Sequence, residues 1–213
     1  MAINVEKIKE YTTCRLLVKD FILVQQTEST NKLAAKILAD SPSGKGLIVF
    51  AETQTAGKGR KGDPWIDLRS ESLLLSMIPD IQYYPESEQA GLTVIASSVA
   101  MAEVIANLLP GEVSIKWPND ILVQSLKLCG ILVENIKIRN SQRPIIGIGL
   151  NCHQVPRFFN EKNLNGATSL DIQTNSYNDR NALAAAIIES HEKYLHLASH
   201  GKINEVITAW QSY

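Results

Sequence analysis

The sequence predicts a single domain built on a β-sheet flanked by helices, of the α/β or α+β class. Short apolar runs rich in β-branched residues alternate with stretches whose apolar residues recur at helical spacing. Neither internal repeats nor low-complexity segments interrupt this alternation, and no linker or second sheet domain is visible. With 213 residues, of which 45% are hydrophobic and 20% charged, the chain is long enough to bury a substantial core. We therefore expect residues 1–213 to form one domain.

Six apolar runs bounded by polar or turn-forming residues are predicted strands: residues 21–24, 47–51, 73–78, 113–117, 128–138 and 144–150. The last two are expected to pair with each other through the polar stretch 139–143. Asn151 follows the second of them, and we expect it at an edge of the sheet.

Helical spacing of apolar residues predicts four helices. The first is capped by Ser29 or Thr30 and ends near Asp40, ahead of Ser41 and Pro42. The others span residues 88–109, 181–197 and 203–210. A break at residues 200–201, which contain a glycine, separates the last two.

Charge and cysteine content exclude several classes of protein. The formal net charge is −1, so no overall basic field attracts nucleic acid, and we expect no DNA partner. Three cysteines without CxxC spacing disfavour a disulfide framework or a zinc site and suit a reducing compartment. The first residues lack the pattern of a signal peptide, and no apolar run approaches the length of a membrane span. We expect a cytoplasmic protein with no membrane partner.

Two neighbouring segments carry the strongest functional signal. Residues 116–122 read KWPNDIL and residues 127–134 read KLCGILVE. They place a lysine on a strand, an amide beside a carboxylate, and a second lysine ahead of a glycine and an apolar strand. Four polar functions around one small space indicate a site rather than a core. We expect Trp117 to pack and Pro118 to bend the chain.

A second polar segment, residues 54–65, reads QTAGKGRKGDPW. Its glycines leave backbone N–H groups accessible, and Lys58, Arg60 and Lys61 supply positive charge for an anion. Together these segments predict a pocket for a carboxylate and a phosphate.

Residues 57–62 also satisfy G-x-G-x-x-G, the pattern of dinucleotide-binding loops, with Asp80 downstream. That motif needs a helix that opens at the third glycine and holds the pyrophosphate. Here Asp63, Pro64 and Trp65 follow, and then another strand. We therefore interpret the segment as a loop between two strands.

These regions, together with ESTN at residues 28–31 and GIGLN at residues 147–151, resemble the four signature segments of biotin protein ligases, in the same order. The resemblance implies an α+β domain whose mixed, largely antiparallel sheet is flanked by helices, the class II synthetase-like fold of biotin and lipoate ligases. It also implies chemistry in two steps. The biotin carboxylate attacks the α-phosphate of ATP to give biotinyl-AMP and pyrophosphate, and an acceptor lysine then attacks the activated carbonyl.

The resemblance assigns the catalytic roles to four residues. Arg60 and Lys127 would hold the carboxylate and then the adenylate phosphate, while Lys116 faces the phosphates of ATP. Fixed cations suit a reaction that joins two anions, since each charge-assisted hydrogen bond contributes about 1.5–3 kcal/mol. Asp120 would orient the acceptor lysine, help to accept its proton or help to hold Mg²⁺. The alternatives are solvated lysines and an aspartate that caps a turn.

The remaining implied contacts form two groups. The expected biotin-binding residues are Ser29, Thr30, Asn31, Gln54, Gly57, Lys58, Arg60, Lys127 and Gly130. The first four match positions around the ureido end of biotin. The expected ATP- and adenylate-binding residues are Gly59, Arg60, Trp65, Lys116, Asn119, Lys127 and Asn151. Trp65 would stack on the adenine and Asn151 would meet the adenine or ribose. The alternative for Trp65 is an anchor that holds the loop closed.

Cofactors and partners follow from the same resemblance. We expect ATP and Mg²⁺, with biotin as substrate, and a biotin carboxyl carrier domain of a carboxylase as the acceptor. A homodimer is left open. The sequence shows neither the N-terminal DNA-binding domain nor the C-terminal SH3-like domain that relatives carry, so we expect no repressor function.

The sequence also departs from the family pattern. Lys58 stands where many relatives have arginine, and Asp63 where they usually have a basic residue. Asp63 adds a negative charge, which predicts phosphate binding that is weaker or more dependent on Mg²⁺. Two alternatives to a biotin ligase stay open. One is a lipoate-type ligase, which shares the fold family and the acyl-adenylate chemistry. The other, suggested by Asp63 and by the C-terminal domain that the sequence does not show, is a catalytically weakened module that binds biotin or a nucleotide. The KWPND segment together with the cationic glycine-rich loop favours biotin.

Overall fold

A computed structural model of the protein describes residues 2–14, 17–40, 46–80, 90–138 and 141–213. Within these ranges the strands are Asp20–Val24 (β1), Leu47–Ala51 (β2), Ser72–Ile78 (β3), Val113–Lys116 (β4), Asp120–Val123 (β5), Leu126–Ile138 (β6) and Ser141–Asn151 (β7). The helices are Val5–Tyr11 (α1), Thr30–Asp40 (α2), Ala90–Ala106 (α3), Pro156–Glu161 (α4), Leu170–Thr174 (α5), Arg180–Ser199 (α6) and Ile203–Gln211 (α7). Among these helices, none has the length and apolar composition to cross a bilayer.

The strands form one sheet in the order β1-β2-β3-β7-β6-β5-β4. β1 and β2 are parallel, and α2 provides the crossover that a parallel pair requires. Every other neighbouring pair is antiparallel. This topology confirms the predicted α+β fold with a mixed, largely antiparallel sheet.

One face of the sheet forms the main core, because side chains alternate between the two faces along each strand. Leu73 and Leu75 of β3 and Ile146, Ile148 and Leu150 of β7 point to this face. They pack in the same cluster as buried residues of α3 and α6. The stability of the domain therefore depends mainly on this face.

The opposite face is covered at one end by α2. Ala34 and Leu38 of this helix pack against Leu47 and Val49 of β2 in a second, smaller cluster. Ser29 precedes the helix, and its carbonyl accepts the N–H of Leu33, so Ser29 fills the predicted cap position.

All six predicted strands and all four predicted helices are present, with ends shifted by a few residues. Four short elements, α1, β5, α4 and α5, were not predicted. Each has four to seven residues, too few to establish a period in sequence. β5 lies between β4 and β6, and a tight turn at Gln124 and Ser125, both at positive φ, connects it to β6.

The prediction that Asn151 lies at an edge of the sheet was wrong. β7 is flanked by β3 and β6, and Asn151 pairs with Ser72 at the end of this central strand. The connection predicted at residues 139–143 is also shorter, because β7 begins at Ser141. The residues expected just beyond Asp40, and the predicted helix start at residues 88–89, lie outside the described residues.

A buried ion pair joins four distant parts of the chain. Arg180 at the start of α6 is 0% exposed and donates from Nη2 to Glu52 Oε2 at 2.9 Å. Its Nη1 donates to the carbonyl of Ser72 at 2.8 Å, and the N–H of Ile3 donates to Glu52 Oε1 at 2.7 Å. Burial alone would raise the pKa of Glu52, but the Ile3 and Ser70 hydrogen bonds and the arginine outweigh it and lower the pKa.

We predict that Arg180→Met destabilises the fold by about 3–5 kcal/mol, because it leaves the Glu52 carboxylate buried without its cation. Since the folded pKa of Glu52 is lowered, its contribution is present at neutral pH and is lost as the pH falls through that pKa. The loss should therefore shrink on acidification. Urea unfolding of parent and variant at several pH values measures it.

The matched control is Arg157→Met, which removes an exposed arginine that pairs with Glu161 within α4. It should cost less than about 1 kcal/mol. If the two variants lose the same small amount, the buried pair does not stabilise the fold.

Candidate functional site

A cleft with a volume of about 290 Å³ opens on the second face of the sheet, beside the start of α2. Its walls are the first turn of α2, the connection between β2 and β3, the turn between β4 and β5, and strands β6 and β7. Polar groups from segments far apart in sequence therefore meet in one space.

The register of the sheet aligns the floor of this cleft. Lys116 pairs with Asp120, Asp120 with Gly130, and Gly130 with Gly149. Directly paired residues in neighbouring strands point to the same face. A cation, a carboxylate and two glycines consequently lie side by side across β4, β5, β6 and β7.

The two glycines leave space that Trp65 fills. A Cβ at Gly149 would lie 2.5 Å from Cε2 of the indole, and one at Gly130 would lie 3.1 Å from its Cζ3. The Nε1–H of Trp65 is buried and has no acceptor among the described residues. The indole therefore forms an apolar wall of the cleft.

Trp65 reaches this position because the loop before it folds back on itself. The N–H of Trp65 donates to the carbonyl of Gly57 at 2.9 Å, and the N–H of Gly59 donates to the carbonyl of Asp63 at 2.7 Å. The tip, Arg60–Gly62, is a turn of 3-10 helix in which Gly62 has a φ of 86°. Only glycine adopts this φ without strain. No α-helix opens at Gly62, which confirms that the segment is a strand-to-strand loop.

The carboxylate of Asp67 holds the base of the same loop through hydrogen bonds. Asp67 accepts from Thr53 Oγ1 at 2.9 Å and from the N–H of Gln54 at 3.4 Å. Burial raises the pKa of Asp67 against the lowering effect of these donors. Asp67 thus fixes the backbone of Gln54, a predicted binding residue.

The charged end of the cleft is a chain of four side chains. Arg60 Nη1 donates to Asn119 Oδ1 at 3.1 Å, and Asn119 Nδ2 donates to Asp120 Oδ1 at 3.1 Å. Lys127 Nζ lies 2.9 Å from the same oxygen of Asp120. The two cations predicted to hold an anion are therefore joined by one amide and one carboxylate.

The opposite end is polar and uncharged. The N–H of Thr30 donates to Gln54 Oε1 at 2.7 Å, and Thr30 Oγ1 lies 3.1 Å from that oxygen. Ser29 and Asn31 adjoin this pair, and all three residues of α2 and its cap are buried. Donors and acceptors here can hold a neutral polar group.

The cleft brings together all the predicted site residues except two. Those that line it are Ser29, Thr30, Asn31, Gln54, Lys58, Gly59, Arg60, Trp65, Lys116, Asn119, Asp120, Lys127 and Gly130. Gly57 is buried behind the loop, where a Cβ would lie 2.9 Å from the carbonyl oxygen of Trp65. Asn151 is 5% exposed, and its Nδ2 donates to the carbonyl of Thr168 at 3.0 Å. The structure does not place Asn151 in the cleft, because its amide is used to hold the segment beside Lys127.

Sequence reasoning missed several residues of the cleft. Gly147, Gly149 and Leu132 line it. The signal was present, since glycines at alternate positions within an apolar strand mark a face that another group approaches closely. Trp117, expected to pack, is instead 64% exposed and also lines the cleft. Its ring meets that of Trp210 edge-on, at 5.4 Å between ring centroids.

A protein-built metal centre is not found in the described ranges, where no three His, Cys, Asp or Glu side chains lie close enough to hold an ion. The carboxylates of the cleft are those of Asp63 and Asp120. They fit Mg²⁺ only in a site that phosphates and water complete, which is how Mg²⁺ is usually bound.

The sequence matches the Biotin/lipoate A/B protein ligase family over residues 23–151. Bifunctional ligase/repressor BirA of Bacillus subtilis is 35% identical over 189 residues, covering 87% of this chain and 56% of the relative. A biotin-(acetyl-CoA-carboxylase) ligase of Mycobacterium tuberculosis is 33% identical over 176 residues, covering 80% and 62%. The solved biotin protein ligase from Aquifex aeolicus in complex with biotin and ATP has a TM-score of 0.69 at 24% identity, covering 88% of this chain and 75% of that chain.

The chain thus spans less than two thirds of the length of these two curated relatives. The likeness to the solved structure shows a shared fold. The family match covers more than half of the chain, from β1 to the end of β7, and includes every wall of the cleft. This chain belongs to the biotin/lipoate A/B protein ligase family.

Proposed function

We propose that the chain is an ATP-dependent biotin protein ligase, which forms biotinyl-5'-AMP and transfers biotin to a lysine of a carboxylase carrier domain. The observation that carries this proposal is the polarity of the cleft. A neutral end with amide and hydroxyl groups, an apolar wall made by Trp65, and a cationic end follow one another in a single space. Biotin has the same sequence of parts: a ureido ring, an apolar middle and a carboxylate.

The charge of the cleft supports a reaction between two anions. The chain has a net charge of −1, yet five cations line the cleft against two carboxylates. This local excess favours the approach of the biotin carboxylate to the α-phosphate of ATP. The carboxylate oxygen forms a bond to that phosphorus, and pyrophosphate leaves. The amine of the acceptor lysine then attacks the carbonyl carbon, AMP leaves, and the amine loses a proton.

The ion pair between Lys127 and Asp120 suggests an order of events. The substrate carboxylate replaces Asp120 as the partner of Lys127, since both are anions that compete for one ammonium group. Asp120 is then available to orient the ammonium of the acceptor lysine. Mg²⁺, when bound, would neutralise the phosphates, with Asp120 as one carboxylate within reach of the cleft.

The deciding experiment is to incubate the protein with biotin, MgATP and a carboxylase carrier domain, and to weigh the carrier. We expect biotin attached to one lysine, with pyrophosphate release that depends on biotin. Release that depends on lipoate instead would favour the lipoate-type alternative. Binding of biotin without any release would favour a weakened binding module.

Lys127→Ala should lower the rate of adenylate formation by roughly 10²–10³-fold, as the loss of one preorganised charge donor typically does. Pyrophosphate release measures this rate. Lys137→Ala is the matched control, because Lys137 lies on the same strand but outside the cleft. If both variants retain the parent rate, Lys127 does not have the role proposed.

The loop at residues 55–68 should become more protected from hydrogen exchange when biotin and ATP are added. Its tip is exposed and is tied by few backbone hydrogen bonds, so it opens readily without a ligand. Protection in α6 should stay the same and serves as the internal reference. Unchanged exchange in the loop would contradict this prediction.

Asp63→Arg should slow the release of biotinyl-AMP several-fold at low ionic strength, with a smaller effect as salt rises. Asp63 lines the cleft on the exposed loop, where contact between charges is worth about 1 kcal/mol in water and is screened by salt. Release rates across a salt series measure the effect. Asp40→Arg, at the exposed end of α2, is the control, and equal rates in parent and Asp63→Arg would refute the repulsion.

A further inference from the structure

A continuous chain of hydrogen bonds leaves the neutral end of the cleft and ends at a carboxylate on β6. Thr30 Oγ1 lies 2.7 Å from Ser76 Oγ, and Ser76 Oγ lies 2.6 Å from Asn31 Oδ1. Asn31 Nδ2 donates to Glu134 Oε2 at 2.7 Å. Gln54 joins at the other end through Thr30. We call these five side chains the relay.

Strand register builds the relay. Ser76 of β3 and Leu132 of β6 both pair with Gly147, so Ser76, Leu132 and the next residue on that face, Glu134, lie on the side of α2. Ser76 is 0% exposed. A Cβ at Gly147 would lie 2.4 Å from Asn31 Oδ1, so this glycine makes room for the amide.

The number of hydrogens that each group can donate fixes the donor and acceptor at each step of the relay. An ionised carboxylate only accepts, so Glu134 at 2.7 Å, with weaker support from the Leu132 carbonyl at 3.4 Å, turns the Nδ2 of Asn31 towards β6 and leaves Oδ1 towards Ser76. The Oδ1 of Asn31 cannot donate, so Ser76 donates its single hydroxyl hydrogen to that oxygen. Ser76 can then only accept from Thr30.

The direction of the relay determines which hydrogen-bonding groups Thr30 and Gln54 present to the cleft. The hydroxyl hydrogen of Thr30 stays within the relay, on Ser76 or on Gln54, so Thr30 offers a lone pair to a ligand. Gln54 Oε1 is held by the N–H of Thr30, so Gln54 offers the hydrogens of its Nε2. One acceptor beside one set of donors matches a cyclic urea, which has N–H groups and a carbonyl.

We propose that Ser76 and Glu134 are positioning residues that set the hydrogen-bond polarity of the neutral end of the cleft, and so its preference for a ureido ring. The proposal rests on the proposed function, because it names that ring as the ligand. Neither residue needs to touch biotin. Both act through Asn31 and Thr30.

Glu134→Gln tests the polarity without removing a contact. Glutamine both donates and accepts, so only the Leu132 carbonyl, at 3.4 Å, still favours the original orientation of the Asn31 amide. When the amide turns, Ser76 regains a hydrogen for Thr30, and the preference weakens. We expect the Kd for biotin to rise about 3- to 10-fold, while the KM for ATP stays unchanged. Calorimetry gives the first value and pyrophosphate release the second. Glu161→Gln, an exposed glutamate of α4 outside the cleft, is the matched control and should match the parent.

Exchanging donor and acceptor between residues 31 and 134 tests whether the direction of this hydrogen bond matters, or only its presence. Asn31→Asp sets two carboxylates against each other and should raise the Kd for biotin about tenfold or more. Combined with Glu134→Gln, the new glutamine donates to the new aspartate, which still accepts from Ser76. The double variant should bind biotin within about threefold of the parent. In a Ser76→Ala background, Glu134→Gln should have no further effect, because the relay is already cut.

Several results would overturn the relay. If the parent binds biotin and Glu134→Gln binds it equally well, Glu134 sets no polarity. If Glu134→Gln lowers the affinities for biotin and ATP together, Glu134 acts on the fold and not on the direction of the hydrogen bonds. The same conclusion follows if the double variant loses as much biotin affinity as the two single variants together. If the parent itself does not bind biotin, the proposed function fails first, and that outcome is distinct from the others.

Discussion

The register of β7 against its two neighbours is the constraint on which the cleft depends. Along β7, Gly147 and Gly149 face the cleft while Ile146 and Ile148 face the core. A slip of one residue would exchange the two sets, because side chains alternate along a strand. It would fill the cleft with isoleucine side chains and leave gaps in the core. The packing that stabilises the domain therefore also fixes the site.

Arg180 also fixes the base of the loop that closes one side of the cleft. The loop that carries Arg60 and Trp65 leaves β2 just before Glu52 and enters β3 at Ser72. Arg180 holds the carboxylate of the first and the carbonyl of the second. Both ends of the loop are thus fixed by one buried side chain. Its base is held to the sheet, while its tip at residues 60–62 is exposed.

Each structural element around the cleft contributes a different kind of chemical group. α2 and its cap supply uncharged donors and acceptors, the central strands supply a floor without side chains, and the turn between β4 and β5 supplies charge. Each part would be unremarkable alone. Their order along one cleft fits a ligand that is polar at one end and anionic at the other, as biotin is.

Much of the local structure could be predicted from the sequence. The strands and longer helices follow from apolar periodicity, which local residues determine. The loop character of residues 57–62 follows from the residues after the third glycine. The segments that resemble biotin protein ligases contained most of the residues that line the cleft, including Arg60, Lys116, Asp120 and Lys127.

Only the tertiary structure decided which residues meet. The central place of β7, the burial of Asn151, the exposure of Trp117 and the contacts of Ser76 and Glu134 with Asn31 all depend on pairings between segments far apart in the chain. Periodicity within a segment reports which face of a strand is apolar, but it carries no information about the neighbouring strand. The sequence alone therefore determined the elements and the chemical character of the site. Packing of the sheet decided the position of each group within it.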